Sequence, residues 1–258
     1  MHTEISTDIR KTIGNLSSSY FVRFLRYPFL IVYILVVPRM LGASDYGKLA
    51  LIISIVMLTS EIMTLGNTPV IGRFLPEYLI KKKTKKLDQL LSGYFILEFI
   101  LIVIVSITGL LLFFFFQPAK GELFYIIIFL SVATEIFSSL FFSILYGLNY
   151  VGKSSSKNFF RTFFRLIFIL VLYPVYGFNG ALFSLLITPI LSGIYAVYFV
   201  KKNLRFKIRK PVLKEFIPKL KFGIIIFIPT LLFLFQQQIG PIFLKSFSFG
   251  NKEIGYFD

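Results

Sequence analysis

Three arginines and three glutamates lie inside long apolar stretches of this sequence, where a charged side chain is costly to keep. They are Arg23, Arg26, Arg165, Glu61, Glu98 and Glu135. A charge at mid-bilayer costs roughly 2.5–3.5 kcal/mol even on a mild insertion scale, so such residues usually face protein or water. Guanidinium groups bind phosphate oxygens in bidentate fashion, and a carboxyl group in a protein cavity can carry a proton. These residue types therefore predict binding of an anion rather than covalent catalysis.

Five of the six share one depth. Arg23 and Arg26 are three residues apart, on one face of a helix. Together with Arg165, Glu61 and Glu98 they are expected roughly 9–12 Å below the cytoplasmic boundary, at a rise of 1.5 Å per residue. A common depth predicts a polar layer in a cavity open toward the cytoplasm. Two alternatives stay open: the arginines snorkel to the headgroups, or the glutamates only neutralise arginine neighbours.

Further polar side chains are expected near the middle of the membrane: Glu135, Gln236, Gln237 and Gln238. Glu135 is too deep to snorkel, which predicts that it faces a cavity. Consecutive glutamines point in directions about 100° apart, so at least one of them is expected to line a wet cavity. Pro229 and Pro241 flank them and predict a bent helix. Hydrogen bonds between packed helices are the alternative explanation of the glutamines.

Composition excludes several kinds of chemistry. The sequence has no cysteine, which excludes disulfides, thiolate nucleophiles and cysteine-ligated metals. The single histidine, His2, lies in the polar N-terminal tail, which argues against histidine catalysis and multi-histidine metal sites. The net charge of +16 comes largely from short segments beside apolar spans, a pattern typical of membrane topology rather than of nucleic-acid binding. We therefore expect no metal, no cofactor and no nucleic-acid partner.

Seven apolar segments must position these residues. Each reaches the roughly 20 residues that a helix needs to cross a bilayer, and the mean hydropathy of the chain is +0.80. They cover approximately 20–41, 46–69, 89–116, 122–148, 158–176, 178–200 and 222–244. Residues 1–19 form a polar tail without a cleavage signature, and Gly177 lies in a tight turn between the fifth and sixth segments. This pattern predicts an all-α membrane protein with about seven transmembrane helices.

The distribution of lysine and arginine predicts the orientation. Of the 28 basic residues, 20 fall in the segments 1–19, 70–88, 149–161 and 201–221. Only five fall in the alternate, outer segments, which include the tail after the seventh span, and one of these is Lys120. Cytoplasmic loops carry the excess of positive charge. We therefore expect a cytoplasmic N-terminus and residues 245–258 as a tail on the outer side.

A faint internal repeat links the first and seventh segments. Both read Pro-x-x-Leu followed by Gly-x-x-acid-x-Gly, at Pro38–Gly47 and at Pro241–Gly255, and Gly47 and Gly255 are 208 residues apart. Repeated lobes are common in transporters. The repeat predicts a six-helix lobe at 20–200, a basic cytoplasmic linker between lobes at 201–221, and the first helix of a second lobe at 222–244. On this interpretation the chain is an N-terminal fragment.

Short motifs in the first 80 residues resemble one family. Arg39-Met40-Leu41-Gly42 precedes Asp45-Tyr46-Gly47, and Gly72-Arg73-Phe74-Leu75-Pro76-Glu77-Tyr78 follows a long apolar segment. These motifs are similar to those of bacterial oligosaccharide-lipid flippases (Wzx type) in the multidrug/oligosaccharidyl-lipid/polysaccharide exporter superfamily. The resemblance implies two six-helix lobes that move undecaprenyl-diphosphate-linked sugars to the outer leaflet by alternating access. It gives structural roles to Gly42, Asp45, Tyr46, Gly47, Arg73, Pro76 and Glu77.

The sequence and the resemblance together predict a multi-pass transporter of the bacterial cytoplasmic membrane, and not an enzyme. Arg23, Arg26 and Arg165 would hold the diphosphate, while the glutamates and glutamines would line the cavity or couple transport to an ion. The expected partners are a lipid-linked oligosaccharide, the bilayer, and the polymerase and chain-length machinery of surface polysaccharides such as O-antigen. Alternatives are a multidrug exporter or a peptidoglycan-precursor flippase of the same superfamily and, from another class, a membrane glycosyltransferase, a polysaccharide polymerase, a signalling receptor or a passive structural protein.

Overall fold

The described part of the chain folds as eight helices. The computed structural model describes residues 2–116, 122–247 and 250–257, with side chains at 14, 17–111, 125–247 and 250–256. The helices are α1 (His2–Met63), α2 (Asn67–Ile80), α3 (Thr84–Phe116), α4 (Glu122–Gly147), α5 (Val151–Tyr176), α6 (Phe178–Asn203), α7 (Leu213–Ser246) and α8 (Asn251–Phe257). Within these ranges no residue is in a β-strand, and the predicted all-α membrane fold is confirmed.

Six helices of the described chain are long and apolar enough to cross a bilayer. The first candidate, Ser17–Met63, has 47 residues and covers most of the first two predicted segments. At 1.5 Å per residue it is about 70 Å long, more than twice the roughly 30 Å of a hydrocarbon core. Gly42 interrupts the helical backbone of α1 with φ 71° and ψ 162°. The two halves of α1, before and after Gly42, therefore correspond to two predicted segments.

Several helices continue beyond the apolar segments that predict them. α1 begins at His2, within the predicted tail, and α5 begins at Val151, seven residues before the predicted start at 158. α6 continues to Asn203, so the irregular connection is confined to 204–212 instead of 201–221. These extensions are rich in polar residues, so hydropathy predicts loops there, although their lysines and arginines have a high helix propensity. Lys120, predicted on the outer side, is outside the described residues.

α4 lies at the centre of the helix bundle. About 67% of its membrane-spanning window is buried, against 11% for α7. It contributes to both apolar clusters of the core: Leu140 and Leu145 pack with helices α2, α3 and α6, while Val132 and Ile136 pack with α1, α5 and α6. Buried serines on α4 and α6 let the two backbones approach closely, as is usual between membrane helices. The core thus positions α1, α2, α3, α5 and α6 relative to α4.

The 204–212 connection is fixed to the start of α3. Asp88 accepts hydrogen bonds from the Nε of Arg209 at 2.8 Å and from the backbone N–H of Lys207 at 3.1 Å. The backbone N–H of Arg209 donates to the hydroxyl of Ser92 at 2.9 Å, and the ring of Phe206 stacks on the core of the lobe. We call residues 204–212 the strap, because these bonds hold them across the end of the bundle.

Candidate functional site

A polar cavity of about 320 Å³, the central cavity, lies between five helices. α1 contributes Glu61, α2 contributes Thr68, and α7 contributes Thr230. The polar side chains from α4 and α5 are Ser139, Ser143, Ser154, Lys157, Asn158 and Arg161. Hydroxyl, amide, carboxylate and cationic groups thus meet between helices of which all but α2 are long and apolar enough to span a membrane. A cavity of this composition suits a hydrated, charged ligand.

The basic residues of the central cavity belong to a row on α5. Lys153, Lys157, Arg161 and Arg165 follow one another at intervals of four residues, which places them on one face of a helix. We call these four residues the basic row. Arg161 is ten residues from the start of α5, about 15 Å along the helix axis. The row therefore carries positive charge deep into the bundle.

Glu135 on α4 pairs with this row. Its Oε1 accepts from the Nη2 of Arg161 and lies 3.0 Å from the Nζ of Lys157. All three side chains are largely buried, at 11%, 18% and 17% exposure for Glu135, Arg161 and Lys157. Sequence analysis predicts a cavity-facing Glu135. In the structure this carboxylate neutralises part of the basic charge behind the cavity wall.

Two of the predicted arginines line a second cavity. This N-terminal cavity, of about 290 Å³, is bounded by Arg23 and Arg26 on α1 and by Ser155, Asn158 and Phe159 on α5. Asn158 lines both cavities, so they adjoin. The Nε of Arg26 donates to the hydroxyl of Thr162 at 3.0 Å. Arg26 therefore contacts α5, whereas Arg23 lines the same cavity but is exposed.

Arg165, the third predicted arginine, occupies a different position. Its side chain is partly buried beside Tyr33 and Arg161, and its Nε is buried without a hydrogen-bond partner. Among the described residues it is not part of the wall of either polar cavity. A role for Arg165 in binding a diphosphate stays a prediction.

The predicted glutamates Glu61 and Glu98 differ in position. Glu61 lines the central cavity directly. Glu98 is 2% exposed and accepts a hydrogen bond from the Nδ2 of Asn67 at 2.6 Å. The Oδ1 of Asn67 in turn accepts from the hydroxyls of Thr68 and Ser143, which line the cavity. Hydrogen bonds through the side-chain amide of Asn67 thus connect Glu98 to the cavity. The Oε2 of Glu98 is itself buried without a hydrogen-bond partner.

The three glutamines of α7 lie beside the central cavity rather than in its wall. Gln236 and Gln237 are exposed and Gln238 is partly buried. Within the described residues α7 reaches the cavity through Thr230, Phe233 and Leu234, just before the glutamines. Because Gln236 and Gln237 are exposed, their side chains are accessible to a molecule that contacts α7. Their predicted contact with a wet cavity remains untested.

The motif residues of α1 form the joint between its two halves. Gly42 breaks the helix at positive φ. Asp45 forms an ion pair with Lys48 at 2.8 Å and accepts a hydrogen bond from the hydroxyl of Tyr173 at 3.5 Å. Tyr46 is buried at 7% exposure. At Gly47 a Cβ atom would collide with the backbone oxygen of Asn251, so this position requires glycine for the close approach of α8.

The motif residues of α2 contribute to the docking of α7. The guanidinium of Arg73 lies 4.7 Å from the ring centroid of Phe222, a cation–π contact. Pro76 lies inside α2. The exposed Glu77 accepts from Lys81 at 2.8 Å, and this ammonium group lowers the pKa of the Glu77 carboxyl. These residues support the fold and do not line the polar cavities described above.

Lys157 and Arg161 are the main functional candidates that sequence reasoning missed. The topology count assigns them to the inner segment 149–161 because they precede or begin the apolar window at 158. The signal that identifies them is the spacing of four residues that they share with Arg165.

Among the described residues no group of three histidine, cysteine, aspartate or glutamate side chains is arranged to hold a metal.

Comparison with known proteins gave one family and several structures. The model of the polysaccharide biosynthesis protein family matches residues 13–258. An inward-facing multidrug resistance MATE family transporter of the MOP superfamily superposes with a TM-score of 0.66 at 16% identity, covering 95% of this chain and 59% of the transporter. An outward-facing one gives 0.61 at 18% identity, covering 92% and 55%.

A third structure is a MOP superfamily transporter from Pyrococcus furiosus, whose reversed pocket polarity suggests a different function. It gives a TM-score of 0.58 at 17% identity and covers 92% of this chain and 55% of its own. Comparison with curated protein sequences gave no match. The chain therefore spans between half and two thirds of the length of these transporters, and the likeness shows a shared fold.

Proposed function

The chain belongs to the polysaccharide biosynthesis protein family, and on this premise we propose that it is part of a flippase for undecaprenyl-diphosphate-linked oligosaccharides. The family match and the transporter fold support the class of protein, a multi-pass membrane protein of polysaccharide biosynthesis. The proposal adds the substrate. The two polar cavities would hold the diphosphate and the sugars in water, while the polyprenyl tail stays in the bilayer.

The observation that carries this proposal is the charge of the two adjoining cavities. Four basic side chains, Arg23, Arg26, Lys157 and Arg161, line them against one carboxylate, Glu61. Even with Glu135 counted, two positive charges are in excess. Three of the four are arginines, whose planar guanidinium groups bind phosphate in bidentate fashion. An excess of cations inside a membrane bundle is the arrangement that an anionic substrate needs.

The same charges argue against a cationic drug as the substrate. A drug exporter requires carboxylates that are free to pair with the drug. Glu135 is already bound by Lys157 and Arg161, which leaves Glu61 as the one carboxylate in the described cavity walls, against four basic side chains. The Pyrococcus furiosus neighbour, with its reversed pocket polarity, is a reason to infer the substrate from the cavity and not from the shared fold. We infer an anion-binding site built on a scaffold that other members use for other substrates.

The remaining expectations follow from the proposed substrate. The protein would lie in the bacterial cytoplasmic membrane with its N-terminus and the strap in the cytoplasm, because most basic residues lie at that end. Its product would be consumed by the polymerase and chain-length machinery of a surface polysaccharide. The membrane potential, or a proton or sodium gradient, would drive the transfer.

The test replaces arginines in the chromosomal copy of the gene. An Arg23→Gln, Arg26→Gln double variant removes two cavity charges that have no carboxylate partner in the described structure. We expect at least a tenfold loss of surface polysaccharide and accumulation of the lipid-linked precursor on the cytoplasmic side, at unchanged protein level. Arg205→Gln is the matched control, because Arg205 is exposed on the strap, and it should export normally.

A second variant separates charge from geometry. Arg161→Lys keeps the positive charge beside Glu135 but removes the planar guanidinium group, which binds phosphate in bidentate fashion. Export is expected to fall about tenfold while the melting temperature changes little. Normal export in both the double variant and Arg161→Lys would contradict a diphosphate site in these cavities. Loss of resistance to cationic drugs, with normal polysaccharide, would favour a multidrug exporter.

A further inference from the structure

An apolar groove of about 790 Å³ lies between α3, α4 and α6. Its walls include Phe99 and Ile102 of α3, Thr134 and Phe137 of α4, and Ile194 and Tyr198 of α6. The groove is separate from the polar cavities, because α4 presents Thr134 and Phe137 to the groove and Ser139 and Ser143 to the central cavity. It therefore has no part in the function proposed above.

The groove opens to the membrane rather than to the protein interior. Phe99, Ile194 and Tyr198 are 67%, 61% and 59% exposed, and the three helices that form the groove are candidate membrane spans. The hydroxyl of Thr134 donates to the backbone oxygens of Leu130 and Ser131 in its own helix. The hydroxyl of Thr134 is therefore satisfied within its own helix, and the other polar side-chain groups of the described wall are the hydroxyl of Tyr198 and the ammonium group of Lys201.

The length of the groove fits one acyl chain. Its wall on α6 extends from Pro189 to Lys201, which is about 18 Å at 1.5 Å per residue. One leaflet contributes half of the roughly 30 Å hydrocarbon core of a bilayer, about 15 Å. The groove therefore matches the depth of one leaflet and not that of the whole membrane.

A lysine closes one end of the groove. Lys201 is part of its wall and Lys202 follows in the last turn of α6, next to the strap. Among the described wall residues there is no aspartate or glutamate. Each lysine or arginine near a membrane surface strengthens the binding of anionic lipid about fivefold. The apolar wall and its cationic end are thus complementary to an acyl chain that carries an anionic headgroup.

We propose that this groove is a binding site for an anionic phospholipid in the leaflet next to the strap. One acyl chain lies along α6 between Phe99, Phe137 and Ile194, and the phosphate pairs with Lys201. The lipid binds on the membrane side of α4, whereas the transported substrate occupies the polar cavities on its other side. Phosphatidylglycerol is the probe, because it carries one negative charge and no other ionisable group.

The absence of tryptophan from the sequence allows a direct measurement. A Tyr198→Trp variant places a unique fluorophore in the groove, one turn from Lys201. The protein is reconstituted into vesicles that contain equal mole fractions of phosphatidylglycerol and phosphatidylcholine, with bromine on the acyl chains of one lipid or the other. We expect brominated phosphatidylglycerol to quench at least threefold more than brominated phosphatidylcholine.

Two controls make the result specific. A Val175→Trp variant places the fluorophore near the end of α5, at an exposed position outside the groove, and the two lipids should quench it equally. Adding Lys201→Gln to Tyr198→Trp should remove the excess quenching by phosphatidylglycerol. Equal quenching of Tyr198→Trp by both lipids, or an excess that survives Lys201→Gln, would overturn the proposal.

Discussion

Two cations approach the carboxyl group of Glu135 from the neighbouring helix α5. The Oε1 of Glu135 lies 3.0 Å from the Nζ of Lys157 and accepts from Arg161. Taking a carboxylate out of water costs several kcal/mol, and only close partners compensate that cost. The ion pairs therefore set the position of the basic row relative to α4, and with it the shape of the cavity wall.

At the residue scale, we expect Glu135→Gln to destabilise the protein by about 2–4 kcal/mol, because it leaves the largely buried Lys157 and Arg161 without a carboxylate partner. The free energy of unfolding in mixed micelles measures this change. A Glu135→Gln, Arg161→Gln double variant should recover part of the loss, since one unpaired charge is gone. The control is Glu215→Gln, whose pair with Lys86 is exposed and contributes at most about 1 kcal/mol. Equal losses for both single variants would contradict the argument.

Glu98 allows a test of ion coupling that leaves the fold intact. Glu98→Gln keeps an oxygen that accepts from Asn67 but removes the acidic group. We expect a change in the free energy of unfolding below about 1 kcal/mol, together with at least a tenfold loss of export. Glu98→Ala should also lose the hydrogen bond and destabilise the protein by about 1–3 kcal/mol. Normal export by Glu98→Gln would exclude a coupling role for this residue.

Sequence reasoning identifies some cavity residues and overlooks others for a physical reason. Arg23 and Arg26 are visible because a charge inside an apolar window is exceptional. Lys157 and Arg161 stand at the edge of such a window, where a basic residue normally belongs to a loop. Only the start of α5 at Val151 brings them into the bundle. Their partner Glu135 is distant in sequence, and hydropathy contains no information about which residues pair.

At the scale of elements, the strap shows what holds a polar connection against the lobe. Asp88 is 6% exposed and binds both the side chain of Arg209 and the backbone N–H of Lys207. Hydrogen bonds to a charged group contribute about 1.5–3 kcal/mol, so the aspartate accounts for much of the attachment. Apolar windows locate the helices on either side of the strap, but they do not reveal that it is bound.

We expect Asp88→Asn to release the strap without unfolding the helices. Trypsin cleaves after lysine and arginine unless proline follows, and the strap offers Arg205, Lys207 and Arg209 as cleavage sites. Cleavage within 204–212 should become about 10- to 100-fold faster, because the rate follows the population of the locally open state. Lys86→Gln is the control, since its exposed pair with Glu215 does not involve the strap. An unchanged cleavage rate in Asp88→Asn would show that other contacts hold the strap.

At the scale of the whole molecule, the internal repeat corresponds to a contact between its two copies. A Cβ atom on Gly47 would meet the backbone oxygen of Asn251, and one on Gly255 would meet that of Ala43. Ala43 and Asn251 are separated by the same 208 residues as Gly47 and Gly255. Exchanging the two copies therefore turns one contact into the other, which is the property of an isologous, twofold-related contact. The sequence predicts that the copies exist, whereas only the fold brings them together.

This symmetry predicts how substitutions at the two glycines behave. Gly47→Ala and Gly255→Ala each place a methyl group against a backbone oxygen that cannot move aside, so each should destabilise the protein by about 1–3 kcal/mol. Because the contacts are equivalent, the two losses should be similar. The double variant should lose less than their sum, since separating α1 from α8 relieves both collisions. Thermal unfolding of the three variants gives these values.

Gly14→Ala is the control, because no atom lies within 4 Å of its Cβ position, and it should be neutral or stabilising. A large loss at one glycine and none at the other would rule out a twofold-related contact.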